Sequence, residues 1–198
     1  MKKLGICLII ISLAMVIFYF IYNKALENKN INDVNDYIDI TSKVIDNKEV
    51  DIKTETSTSN KKQLEYTAVL EIPKIGLKRG VVDSTKNFNS INYAISVDNN
   101  SNYPSENGNF ILYAHSGNSN IAFFHNLNKL AKNDDIYVYY EGIKYQYKVL
   151  RKYDIEKTGK ANIIGSKKDK YITLITCNQQ KVGYQIIIEG KIVNQVEY

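Results

Sequence analysis

Thr173-Leu-Ile-Thr-Cys177-Asn-Gln-Gln180 (TLITCNQQ) runs from β-branched and apolar residues into a polar triplet, with a cysteine at the junction. Such residues suit an extended, half-buried backbone, so the stretch predicts a strand that delivers Cys177 at its C-terminal end. A cysteine in mid-strand would be a small packing residue. At the end, beside the polar run from Asn178 to Lys181, it is exposed enough for chemistry. A nucleophilic thiol needs a neighbour that favours the thiolate or moves a proton, most often a histidine. The chain has two, His115 and His125.

His115 closes the run Phe110-Ile-Leu-Tyr-Ala-His115 and precedes Ser116-Gly117, so it too marks a strand end. Two strand ends can meet at one rim of a barrel despite a long intervening sequence. His125 falls between Phe124 and Leu127 in a helical pattern and is the weaker partner. One cysteine with two histidines lacks the close paired spacing of zinc sites, so neither a metal nor another cofactor is expected.

Working outward, short β-like runs cover residues 66–72, 109–115, 135–140, 143–153, 171–177 and 184–193. Asn107-Gly108 and Glu141-Gly142 are turn dipeptides of the kind that begin or join strands. In residues 121–132, Ile121, Phe124, Leu127 and Leu130 recur every third position, which predicts one short amphipathic helix. Many short strands with one or two short helices predict a mainly β fold, a closed or nearly closed barrel. Residues 63–198 carry seventeen Lys and Arg against thirteen Asp and Glu, scattered rather than striped, which argues against nucleic acid as a partner.

Residues 4–22 form nineteen uncharged residues behind Lys2 and Lys3, enough to cross a bilayer core of about 30 Å as a helix. No small-residue cleavage site follows, so an uncleaved anchor over residues 1–23 is expected rather than a signal peptide. The flanking lysines favour a cytoplasmic start and an extracytoplasmic soluble part. Residues 24–62 are polar, lack Pro and Gly, and include a Thr-Ser-Thr-Ser tract; they predict a flexible or partly helical spacer. As a coil, its roughly forty residues would reach about 35 Å. Cys7 lies in the apolar segment, so Cys177 is an unpaired thiol in the outer domain, residues 63–198.

Four stretches, in order, resemble the sortases, the cysteine transpeptidases of Gram-positive envelopes. They are Leu70-Glu-Ile-Pro-Lys-Ile-Gly76, the segment from Gly108 to Gly117 with His115, the Phe124, Leu127, Leu130 spacing, and Thr173-Leu-Ile-Thr-Cys177. The resemblance implies an eight-stranded closed β-barrel behind a single membrane anchor at the cell membrane. It implies Cys177 as nucleophile and His115 as proton donor and acceptor. It implies an LPxTG-like sorting signal as substrate and an amine acceptor such as a peptidoglycan cross-bridge or a pilin lysine. The segment of residues 154–170 is the expected wall for the signal peptide, with Ala161, Ile163 and Ile164 as contacts and Thr176 beside the nucleophile.

One position departs from the family. Sortases place an arginine just before the apolar run of the last strand, and here Gln185 precedes Ile186-Ile-Ile188. The only arginines, Arg79 and Arg151, fall elsewhere. Gln185 can donate a neutral hydrogen bond to an oxyanion but lacks the charge and fork of a guanidinium. Lys181 is the alternative source of charge, although hairpin geometry favours Gln185 facing Cys177. Two other readings stay open: a hydrolytic cysteine peptidase on the same barrel, and a catalytically degenerate peptide-binding envelope protein.

Overall fold

A computed structural model describes residues 2–46, 66–84, 91, 94–158, 160–165 and 168–198. One helix, α1 (Lys2–Asp46), precedes eight strands: β1 (Ala68–Ile72), β2 (Leu77–Asp83), β3 (Ile95–Val97), β4 (Gly108–Tyr113), β5 (Asp135–Tyr140), β6 (Ile143–Glu156), β7 (Lys170–Cys177) and β8 (Tyr184–Glu197). They close in the order β1-β2-β3-β4-β7-β8-β6-β5, with β5 returning to β1. Closure leaves no edge strand exposed to pair with another chain. The pairs β2–β3 and β4–β7 are parallel, and the rest are antiparallel.

Alternation along the strands builds the core. Phe110, Leu112, Ile172, Leu174, Ile186 and Ile188 point inward and join Tyr145 and Tyr147 in one cluster. The β5–β6 hairpin turns through Glu141 (φ 50°) and Gly142 (φ 76°), both left-handed, as a two-residue turn matching strand twist requires.

The six expected strands are all present, β5 with the expected ends and the others with at least one end shifted, and two more appear. β2 carries Lys78-Arg79-Gly80 in its middle, which hides its alternation; Gly80 is needed because a Cβ there would lie 2.4 Å from the Tyr66 ring. β3 is three residues long, too short to show a period.

The helix expected over 121–132 is not α-helical. Turns lead to a 3-10 segment, Leu127–Lys129. Hydrogen bonds from His125 N to Ala122 O, Leu127 N to Phe124 O and Leu130 N to Leu127 O all span three residues. A strict three-residue apolar spacing is the period of a 3-10 helix, and it buries Phe124, Leu127 and Leu130 fully.

The polar segment after the apolar span takes its helical alternative as far as Asp46. Residues 47–65, including the Thr-Ser-Thr-Ser tract, lie outside the described residues. Among the described residues, α1 is the one helix long and apolar enough to cross a membrane. Beyond its apolar part it lies along the barrel. Asn23 accepts from Asn120 (3.1 Å), Glu27 pairs with Arg79, Asn30 donates to Lys78 O, and Tyr37 Oη donates to Thr67 O (2.6 Å). Val34 and Tyr37 pack on Val69 and Tyr139, the outward residues of β1 and β5.

Candidate active site

The parallel register of β4 and β7 pairs Tyr113 with Ile175. Two residues further on, His115 and Cys177 come level at the ends of neighbouring strands. The two ends are tied together: Ala114 N donates to Ile175 O (3.4 Å), Thr176 Oγ1 to Ala114 O (2.8 Å), and Ser116 Oγ to Cys177 O (2.7 Å). Because Ala114, Leu174 and Ile186 face the core, alternation assigns His115, Cys177 and Gln185 to the opposite, outer face. Antiparallel register then sets Gln185 directly across from Cys177. Cys177 is exposed and His115 half-buried.

The chain leaves β4 through Gly117, whose φ of 121° lies in the region that favours glycine. It folds back so that Phe124 N donates to His115 O (3.0 Å). His125 lines the same 250 Å³ cavity as Ser116, Thr176, Cys177, Gln179 and Ile186. Its Nδ1 meets Gly117 O at 2.5 Å, and Gln179 Nε2 approaches the same nitrogen at 3.3 Å, so His125 is engaged in holding the loop. A larger cavity of about 660 Å³ lies between α1 and the barrel, lined by Glu27, Arg79 and Phe123. Size does not identify the site; of the two cavities, only the smaller is lined by a nucleophile, Cys177.

Both arginines are committed elsewhere. Arg79 binds Glu27 across the α1–β2 contact, and Arg151 pairs with the fully buried Glu189. Lys181, the alternative source of charge, sits over the Tyr184 ring at 3.3 Å. The β7–β8 loop that carries it is ordered by Asn178 Oδ1, which accepts from Gln180 N (2.9 Å) and Lys181 N (3.1 Å). The cation that reaches the thiol is one that sequence reasoning missed: Lys157 Nζ lies 3.8 Å from Cys177 Sγ. β6 pairs with β8 to its end, and Lys157 N then donates to Gly183 O (2.8 Å), so Lys157 reaches across β8 to the tip of β7. In sequence it is one lysine among several in residues 154–170, with nothing local to mark it.

The expected peptide wall folds over the outer face of β4, β7 and β8. Ile164 N donates to Glu189 Oε1 (2.6 Å), and Asn109 Nδ2 donates to Ile164 O (2.7 Å). Asn109 also accepts from Thr173 Oγ1 (3.0 Å). Tyr153 Oη reaches Asn162 O at 3.2 Å, and burial, then the Glu189 carboxylate, pushes its hydroxyl above the usual tyrosine range. Ile163 and Ile164 are half-buried and Ala161 exposed, and none of the three lines the cavity that holds Cys177. Thr176 lines the cavity, but its hydroxyl is engaged by Ala114 O. Among the described residues no group of acids, histidines and cysteines is gathered as a metal site.

Residues 70–193 match the family model of the sortase domain. Among solved structures, the barrel resembles a Clostridium perfringens sortase D5 transpeptidase at 20% identity (TM-score 0.59), covering 79% of this chain and 88% of that one. Sortase C1 of Streptococcus agalactiae is similar at 21% identity and TM-score 0.60, over 84% of this chain and 89% of the other. Sortase A of Listeria monocytogenes matches at 21% identity and TM-score 0.58, over 68% and 91%. Comparison with curated proteins gives no match.

Proposed function

The chain belongs to the sortase family and is a cysteine transpeptidase, and from that premise we propose that it cuts an LPxTG-like sorting signal and passes the cut protein to an amine of a Gram-positive cell envelope. The single observation that carries the reading is the meeting of Cys177 and His115 at the tied ends of β4 and β7.

Cys177 thiolate attacks the carbonyl carbon of the signal's threonine, and the glycine amine is the leaving group. The tetrahedral oxyanion is held by a backbone N–H near Cys177 and by the Gln185 amide. As the C–N bond breaks, its electrons pass to nitrogen, which takes a proton from the His115 imidazolium. An incoming amine gives a proton back to His115 and attacks the thioester; the C–S bond breaks with its electrons on sulfur, which restores the Cys177 thiolate beside the His115 imidazolium. The acceptor is a peptidoglycan cross-bridge amine or a pilin lysine. Residues 1–23 anchor the enzyme as a single-pass membrane protein, with residues 63–198 outside the cytoplasm. Ala161, Ile163 and Ile164 border the leucine end of the signal.

The test uses the full chain in detergent with a library of LPxTG-type peptides, with and without a small amine. A thioester at Cys177 in the mass spectrum, absent in Cys177→Ala and converted to an amide by the amine, is the expected result. Hydrolysis that added amine does not divert would make it a peptidase. No adduct with any peptide would favour the degenerate peptide-binding reading. Gln185→Ala should slow turnover on the order of a hundredfold if it alone replaces the family arginine. His125→Ala should matter little, and a folded but inactive His125 variant would displace His115 from its role.

A further inference from the structure

We infer that Lys157 supplies the positive charge that the family draws from its arginine, acting directly at the Cys177 sulfur and at the oxyanion that forms on it. The inference rests on the reading of Cys177 as the nucleophile. It goes beyond that reading by assigning the cation to the residue that follows β6, away from the strand where the family carries it.

Three observations converge. Lys157 Nζ stands 3.8 Å from Sγ. The other cations placed to compete are engaged: Arg151 by Glu189, Lys181 by the Tyr184 ring, and Arg79 by Glu27. The backbone of Lys157 is itself fixed, through its N–H to Gly183 O and through the adjoining Glu156–Tyr184 register pair. The side chain therefore starts from an anchored point beside the β7–β8 loop.

The chemistry follows from charge and reach. An ammonium beside the sulfur sets a positive charge where the attacking nucleophile and its transition state are negative. When sulfur bonds the carbonyl carbon, the developing oxyanion lies next to that sulfur and within the sweep of the same ammonium. Lys157 then donates a hydrogen bond to the oxygen without surrendering its proton; the proton for the leaving amine still comes from His115. Gln185, across from Cys177, offers a second, neutral donor. Lysine is a compact point charge with three rotatable donors, so it serves one oxygen well but does not reproduce a guanidinium fork on two.

The test compares the full chain with Lys157→Met, Lys157→Arg and Lys181→Met. Each is measured for peptide transfer to an amine and for alkylation of Cys177, in a Cys7→Ser background, by anionic iodoacetate and by neutral iodoacetamide. Lys157→Met should lower kcat/KM about a hundredfold, the effect of losing one oxyanion donor. It should also cut the preference for iodoacetate several-fold, because that ratio reads the local charge and not the fold. Lys157→Arg should keep the reagent preference and much of the turnover, and Lys181→Met should change neither. An unchanged reagent ratio in Lys157→Met overturns the proposal whether or not turnover falls, since a fall alone would mark a structural role. Loss of the preference in Lys157→Arg overturns it equally. If the wild type transfers no peptide, the proposed function fails, yet the reagent ratio still decides whether Lys157 charges the thiol.

Discussion

Glu189 has no exposed side-chain surface, and its two oxygens meet Arg151 and the Ile164 N–H. It lies on the outer face of β8, under the segment that carries Ile164. Asn109 works beside it, donating to Ile164 O and accepting from the buried Thr173 hydroxyl. Truncating Asn109 to Ala leaves that hydroxyl and the loop carbonyl without their partner, and an unsatisfied buried polar group costs about 1–3 kcal/mol. Asn109→Ala should therefore lower the unfolding free energy by about that amount, read from denaturant unfolding, and raise KM for peptide while kcat holds. Equal stability and KM would mean the loop is held some other way. At this scale sequence reasoning proposed Cys177 and His115 because each ends a visible strand, and Gln185 because the family resemblance pointed to its position. It missed Lys157, whose role depends on which strand lies next to β7.

At the scale of elements, α1 is the part whose behaviour differs most from its composition. Asn23, Glu27, Asn30, Val34, Tyr37 and Thr41 alternate in steps of four and three, so they form one stripe along the helix. Every member of the stripe touches the barrel, ending with Thr41 Oγ1 on Tyr198 Oη at 2.7 Å. Most are polar, so the segment reads as a solvated spacer unless the partner surface is known. Val34, 1% exposed, is the sensitive point. Val34→Asp would press a charge against Val69 and Tyr139 and should release the helix. Limited proteolysis of the full chain in detergent should then cut faster within residues 23–46, with the barrel intact. An unchanged cleavage pattern would show that the helix is held by its polar contacts alone.

For the whole molecule, the closed barrel carries its tyrosines in protected places. Burial first, then hydrogen bonds to Asp83 and Glu71 respectively, pushes the Tyr103 and Tyr139 hydroxyls above their ordinary value near 10. Burial also raises Tyr147, deep in the core. A folded state that holds a proton more tightly than the unfolded chain keeps that stability fully below the unfolded value and loses it as pH rises toward the folded one. The thermal midpoint should thus hold at mildly alkaline pH and fall above about pH 10. Tyr139→Phe should lessen the fall, and a midpoint flat beyond pH 10 would contradict these assignments.

Local chemistry in the sequence was enough for the strand that ends in Cys177, the strand that ends near His115, the apolar span of residues 4–22 and the barrel class. Those features depend on side-chain period, turn residues and the length of a hydrophobic run, all of which act between near neighbours in the chain. The 3-10 form of residues 127–129, the short β3 and the docking of α1 depended on surfaces contributed by distant segments. So did the cation at the thiol. Only the strand order β7-β8-β6 brings the end of β6 across β8 to the tip of β7, and a contact between residues 157 and 177 made that way leaves no period or motif in the chain to read.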